Sequence, residues 1–287
     1  MSAPASSPTR YAYVALLMKG LGYLPGVKAL SASLKATGTV YDLVLMVTDD
    51  VDVTQVAPYV DYVVSVPYLT YETLPMKTAK QRAMYDKWMD AGYTKWNALS
   101  LTQYSKVILL DLDIIVLENL DHLFELQAPA ATFSNAWATP YAKGKGGLYN
   151  PYTQVPHGGV VPPKELREGL SRSFVLIGTT VLLEPSQEVY EEFKQFMTKS
   201  QPYGHKGSYS AMDEQSLTEF YLTRGTSWRH IGQKYNMIPW HIKSWLPKGQ
   251  TPAVYHFFGD KPWNTEREAW VDLAIWWRYH DAAQPRQ

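Results

Sequence analysis

The chain has 287 residues and no cysteine, which excludes disulfides and thiolate metal ligands and is compatible with a reducing compartment. It has no apolar run long enough to span a bilayer. Met1 to Thr9 is rich in Ser, Pro and Ala and lacks the basic-then-apolar order of a secretory leader. Net charge is missing too. With 27 Lys and Arg against 27 Asp and Glu and no basic run, duplex nucleic acid is excluded as a natural partner, although a nucleotide is not. Internal repeats and a domain linker are also lacking. The expectation is a soluble, cytoplasmic protein with a flexible tail at 1–10 and one domain over 11–280. What is present supports that reading. A 46% hydrophobic and 14% aromatic content excludes a disordered chain, and the length allows a sizeable core. The 10 Trp and 21 Tyr are amphipathic rings that serve cores and also sites that stack on planar or sugar ligands.

Along the chain, residues 11–18 read as a strand, 24–36 have helical apolar spacing and end near Gly38, and 42–48 and 59–66 read as second and third strands. Strand, helix, strand in this order predicts a parallel sheet covered by helices, with ligands beyond the carboxyl ends of the strands. The spacing predicts helix over most of 77–103, a short helix at 121–126 and a strand at 130–134. Residues 137–172 are rich in Gly, Pro, Lys and Tyr without a sustained period, which predicts an insertion or lid. The Gly144-Lys-Gly-Gly147 inside it lacks the flanks of a phosphate loop. An apolar strand over 175–184, helices over 186–199 and from 212 to 224, a strand at 253–258 and a Trp-rich helix over 266–280 complete the pattern.

The centre of the sequence is Lys106-Val-Ile-Leu-Leu-Asp111-Leu112-Asp113-Ile-Ile-Val116. Aliphatic, partly β-branched residues on both sides of two carboxylates read as a buried strand with an acidic edge. In extended chain, Asp111 and Asp113 share a face while Leu112 points to the core. Two carboxylates so placed repel one another, and a divalent cation resolves the repulsion. An Asp-x-Asp pair also suits a solvated strand-to-turn boundary. The apolar run on both sides favours the metal.

Taken in order, these segments resemble family 8 glycosyltransferases, the group that includes glycogenin and plant galactinol synthase. The resemblance covers nearly the whole chain and is carried by Ser100 to Lys106 leading into the Asp-x-Asp strand, by Glu184-Pro-Ser, and by His256 to Trp263. It implies a single Rossmann-like nucleotide-binding domain of the GT-A type with a mixed central sheet flanked by helices. It also implies transfer of a hexose from a UDP-sugar with retention, using Mn2+.

By the same resemblance Asp111, Asp113 and His256 are the metal ligands. Leu17, Tyr23, Lys95, Leu112, Gly259 and Lys261 join Asp111 and Asp113 around the donor, with Leu17 and Tyr23 framing the uracil. Asp213 is the acidic residue near the transferred sugar, either nucleophile or electrostatic stabiliser, and Glu214 orients sugar or acceptor. For Tyr23 plain helix packing is an equal alternative, and for Asp213 a helix N-terminus explains an acidic residue as well. An isolated His256 would more often be a hydrogen-bonded core residue.

Three departures from the family stand out. Glu214 replaces the usual Gln. Ile177-Gly178-Thr179 replaces an Asn-Ser/Ala-Gly, removing an amide that would touch the donor sugar. The stretch Ile242 to Pro247, which in glycogenin carries the self-glucosylated Tyr, holds no Tyr, so self-glucosylation there is not expected. The acceptor, whether a small polyol, a saccharide or a protein, has no sequence signal. Oligomeric state has none either, and the resemblance leaves room for a homodimer.

A haloacid-dehalogenase-like phosphatase also uses a strand ending in Asp-x-Asp, but it would want Thr or Val where Ile115 stands. A glycosidase needs carboxylates flanking a bond from opposite faces, which Asp-x-Asp spacing does not give. A nucleotide-sugar-binding protein that kept the fold and lost turnover is the alternative that the departures at 177–179 and 214 keep open.

Overall fold

The computed structural model describes residues 10–75, 78–79, 82–83, 86–134, 153–171, 175–204, 212–239, 246 and 248–285. Residues 1–9 of the expected tail, 137–152 and 172 of the expected insertion, and 242–245 and 247 lie outside them.

Strand β1 (Tyr11–Leu17), helix α1 (Leu24–Ala36), strand β2 (Asp42–Val47) and strand β3 (Tyr62–Ser65) open the chain. Strands β4 (Lys106–Leu110), β5 (Ile114–Val116), β6 (Ala130–Phe133), β7 (Leu176–Leu183), β8 (Arg229–His230) and β9 (Val254–His256) follow. Among the described residues seven strands form one sheet in the order β3-β2-β1-β4-β7-β6-β8, and β5 and β9 form a second, two-stranded one. β1 to β4 are mutually parallel, whereas β7 runs antiparallel to both β4 and β6. The sheet is therefore mixed, as expected. β1 has β2 on one side and β4 on the other, so the strand order reverses there and opens a crevice beyond the carboxyl ends of β1 and β4.

Alternation along the strands divides the core. Ala12 and Val14 of β1 and Val107 and Leu109 of β4 face a cluster that includes Trp96, Tyr190, Phe193 and Phe220. Helices α3 (Gln187–Lys199) and α4 (Met212–Thr223) supply that layer, with a 3-10 segment at Met89–Ser100. Tyr13, Ala15, Ile108 and Leu110 face the other way, onto Val27, Leu30 and Leu34 of α1. Each such aliphatic side chain stabilises the fold by about 1.5–3 kcal/mol when fully buried. The small sheet is covered by the last helix, α5 (Val271–Ala282), through Ile115, Phe257, Leu273 and Trp276.

Four expectations are corrected. Residues 106–116 are not one strand: the chain leaves the large sheet after Leu110, turns through Asp111 to Asp113, and enters the small sheet at Ile114. The reason is a partner far along the chain, since Ile114, Ile115 and Val116 pair with His256, Tyr255 and Val254. Within 77–103 the described residues 79, 82 and 83 are helical as expected, but 89–100 forms a 3-10 segment, whose apolar positions suit a three-residue turn as well as a 3.6-residue one. The third strand is shorter than expected, because Ala57–Tyr59 forms a 3-10 turn ahead of it. Lastly, 153–171 is not a loop throughout: it carries helix α2 (Pro163–Leu170) and buries Val161 and Leu166.

Candidate active site

The turn between β4 and β5 lies at the crevice, and three contacts fix it. The Asp111 N–H donates to the carbonyl of Thr179 in β7 at 3.2 Å, and the Phe257 N–H donates to the carbonyl of Asp113 at 2.9 Å. Helix α1 presses on it from outside. A β-carbon on Gly26 would stand 2.2 Å from the Leu112 carbonyl oxygen, so only glycine lets the helix approach so closely. Leu112 is buried at 6% exposure, as its place between the two carboxylates predicts.

His256 arrives by strand pairing, directly opposite Ile114. One ligand atom each from Asp111, Asp113 and His256 can lie within 4.8 Å of the others. The His256 Nε2 is 3.5 Å from Asp113 Oδ2. On the other edge of the ring, Nδ1 meets Asn236 Oδ1 at 2.8 Å and Thr179 Oγ1 at 3.0 Å. Two carboxylate oxygens and an imidazole nitrogen are a donor set that suits a divalent cation. The chain's own residues therefore fit a divalent metal of the kind the resemblance implies.

Lys261, in the loop after β9, donates to Asp113 Oδ2 at 2.6 Å. Burial alone would raise the Asp113 pKa, but the Lys261 ammonium and the neighbouring His256 outweigh it and hold the carboxyl well below its usual range. Asp111 behaves oppositely. Burial, helped by the nearby Asp113 and Asp213, raises its pKa despite the pull of Lys95. Gly259 and Lys261 also line a cavity of about 510 Å³ together with Trp270.

A second group of charges adjoins the first. Lys95 Nζ lies 2.7 Å from Asp213 Oδ2, 3.5 Å from Glu214 Oε1 and 3.9 Å from Asp111 Oδ1. Burial opposes its charge, yet the three carboxylates prevail and its pKa is raised well above the usual lysine value. Glu214 is pushed well above the ordinary carboxyl range by burial and by Asp213. Asp213 sits in the first turn of α4, where the helix dipole favours an anion, and its backbone carbonyl accepts from the Trp96 indole at 3.1 Å.

Seven of the expected site residues thus stand together: Lys95, Asp111, Asp113, Asp213, Glu214, His256 and Lys261. Two others are placed differently. Leu17 ends β1 with its side chain sealed in the core at 1% exposure. Tyr23 is 40% exposed and meets Trp263 edge-on with 4.9 Å between ring centroids. Thr179 and Asn236 were not foreseen. Their one signal is polarity inside apolar segments, at 0% and 3% exposure.

No protein-family model matches the chain. Uncharacterized protein R707 of Acanthamoeba polyphaga mimivirus is 30% identical over 274 residues, covering 88% of this chain and 83% of the viral one. The chain belongs to the family of that viral protein. Solved structures share its fold at lower identity. The glycosyltransferase GlyE of Streptococcus pneumoniae TIGR4 matches with a TM-score of 0.55 and 15% identity over 94% of this chain and 61% of GlyE. The bifunctional glycosyltransferase WbbM matches with 0.61 and 15% over 98% of this chain and 51% of its own. The galactosyltransferase LgtC, crystallised with donor and acceptor sugar analogs, matches with 0.57 and 13% over 96% of this chain and 97% of its own. The chain thus spans about three fifths of GlyE and half of WbbM but nearly all of LgtC, and its fold is the GT-A fold of glycosyltransferases. Among the described residues no helix is long and apolar enough to cross a membrane.

Proposed function

We propose that the protein is a retaining, Mn2+-dependent glycosyltransferase of the family 8 type that moves a hexose from a UDP-sugar to an acceptor hydroxyl. The observation that carries this reading is the convergence of Asp111, Asp113 and His256 at the strand-order reversal of a GT-A fold, where a nucleotide is expected. A divalent cation held by these three residues would supply positive charge against the negative charge developing on the departing diphosphate.

The chain's own residues do the rest. Lys261 adds a point charge for phosphate beside Asp113, and Gly259 lets the loop backbone come close. Lys95 holds the Asp213 carboxylate at 2.7 Å, which fixes a negative charge close to Asp111. Asp213 then serves as nucleophile or as electrostatic stabiliser of the sugar cation. Glu214, whose pKa is pushed upward by burial and by Asp213, accepts from Lys95 at 3.5 Å and orients sugar or acceptor. The domain over 11–280 carries this activity, and the stretch 137–172 shapes the acceptor side.

The test is calorimetric titration of UDP and several UDP-sugars with and without Mn2+, followed by a UDP-release assay on each binder. Mn2+-dependent UDP binding with slow hydrolysis of one sugar nucleotide is expected. Absence of UDP binding overturns the reading. Binding without turnover across an acceptor screen identifies a catalytically silent nucleotide-sugar-binding protein instead.

A further inference from the structure

His256 is held on two edges by different chemistry. Its Nε2 edge faces Asp113 Oδ2 at 3.5 Å. Its Nδ1 edge faces two oxygens, Asn236 Oδ1 at 2.8 Å and Thr179 Oγ1 at 3.0 Å, and those oxygens are themselves 2.8 Å apart with the Thr179 hydroxyl donating to the amide. Thr179, Asn236 and His256 are buried at 0%, 3% and 8% exposure.

In that triangle the hydroxyl proton is committed to Asn236 Oδ1, an atom that can only accept. A hydrogen on Nδ1 completes both remaining contacts, donating to the amide oxygen and to the hydroxyl oxygen. A lone pair on Nδ1 would instead confront the amide oxygen's lone pairs at 2.8 Å among buried groups, and an unmatched buried acceptor costs about 1–3 kcal/mol. The Nε2 edge also faces an acceptor, Asp113 Oδ2, but at the longer distance of 3.5 Å, so the neutral ring keeps its proton on Nδ1 and its lone pair on Nε2.

The backbone makes this arrangement stiff. The His256 N–H donates to the Met237 carbonyl at 3.0 Å and the Met237 N–H to the Val254 carbonyl at 3.0 Å, which ties the residue after Asn236 to β9. The Thr180 hydroxyl donates to the Tyr235 carbonyl at 3.1 Å, tying the residue before it to β7. Thr179 does two things at once. Its hydroxyl touches the His256 ring while its carbonyl accepts from the Asp111 N–H at 3.2 Å. One residue of β7 thus sets both the first carboxylate and the imidazole.

We infer that Asn236 and Thr179 are positioning residues that fix the His256 tautomer and ring angle so that Nε2 is the metal-binding nitrogen. The inference rests on the metal reading of the site for its purpose, but the tautomer itself does not depend on any ion. Outer partners of a ligating His change metal affinity by about 10–100-fold when lost. Neither residue needs to touch sugar or nucleotide to act this way.

Two readouts test it in the full chain. In metal-free wild-type protein, long-range 15N–1H NMR of the imidazole side chains is expected to give the Nδ1-protonated tautomer for His256, assigned against His256→Gln. The Nε2-protonated form would overturn the inference whatever the protein binds. Second, Mn2+ is titrated in the presence of saturating UDP, followed by electron spin resonance. Asn236→Leu is expected to weaken Mn2+ binding at least 10-fold, while Asn236→Asp, which keeps the acceptor, recovers most of it. If Asn236→Leu fails to fold, the near-isosteric Thr179→Val serves, with a loss of several-fold expected. Unchanged Mn2+ affinity in a folded variant overturns the positioning role. Failure of wild-type protein to bind Mn2+ at all would instead sink the glycosyltransferase reading and leave the tautomer result to stand or fall by itself.

Discussion

The Oε1 atom of Glu214 lies 2.7 Å from the point where a β-carbon on Gly178 would stand, and the Lys95 Nζ lies 2.8 Å from it. The two departures from the family pattern, a glycine in β7 and a glutamate in α4, are therefore one adjustment. Removing the side chain at 178 makes the room into which the Glu214–Lys95 pair is packed. Gly178→Ala is expected to cost about 1–3 kcal/mol as overpacking and to lower sugar transfer by displacing both groups. In the Gly178→Ala, Glu214→Ala double variant the stability cost of the first change should fall, a coupling of at least about 0.5 kcal/mol. Additive urea-denaturation energies would break the proposed link.

Asp111 gives a second prediction, because what binds a cation destabilises the protein without one. Its folded-state pKa is raised by burial and by neighbouring carboxylates. For a carboxyl raised in this direction, the stabilising contribution is present at low pH and is lost as pH rises through the folded value, so at neutral pH the ionised group is a burden. Asp111→Asn is expected to leave the melting temperature of metal-free protein unchanged or higher while abolishing Mn2+-dependent turnover. A variant that keeps wild-type turnover would remove Asp111 from the site.

Acid should unfold the protein partly through a histidine far from the chemistry. His230 is buried at 2% exposure, and its Nδ1 accepts from the Phe133 N–H at 3.2 Å. Burial first, and His157 second, push its pKa down to about 4 from the usual 6.5. The unfolded chain therefore takes up a proton before the folded one does, and stability is full above about 6.5 and declines toward about 4, by up to about 3 kcal/mol. His230→Gln, which keeps an acceptor for Phe133, is expected to flatten urea-midpoint profiles across that window. An unaltered slope would assign the acid sensitivity elsewhere.

The contact of α1 with the Leu112 carbonyl yields a fourth. Gly26→Ala would place a β-carbon 2.2 Å from that oxygen, and neither helix nor turn can yield without moving Asp111 and Asp113. The cost is expected at or above the upper end of the ~1–3 kcal/mol usual for overpacking, with Mn2+ affinity reduced in whatever fraction still folds. Calorimetric melting and a Mn2+ titration check both parts. A variant as stable as wild type would mean that the turn is softer than its hydrogen bonds imply.

How much of this the sequence disclosed depended on the range of the interactions responsible. The continuous apolar runs of β1 and β2, buried on both faces, and the 3.6-residue spacing of Val27, Leu30 and Leu34 are local, and those elements were legible to within a residue or two. The break of 106–116 into two strands was not, since Ile114 to Val116 are as aliphatic as Val107 to Leu110 and only their pairing with residues 254–256 takes them to another sheet. Asp111 and Asp113 announced themselves because charge is rare between apolar runs. His256 had no local signature and was reached through resemblance alone. Thr179 drew attention only as part of the departure at 177–179, and Asn236 not at all, because a polar side chain in an apolar segment has many innocent explanations until its partner is located.

The departure of β5 from the large sheet has a mechanical consequence. Asp113 and His256 flank a ribbon of two strands, whereas Asp111 is hung from the main sheet by Thr179. The ligand set therefore straddles the seam between two sheets that share one apolar core, like a rivet hole drilled through overlapping plates. Filling it fastens the plates, and slippage between them misaligns the hole long before either plate bends. Substitutions along that seam, even ones remote from any ligand atom, should register as lost metal affinity at temperatures where the helices and the seven-stranded sheet are still intact.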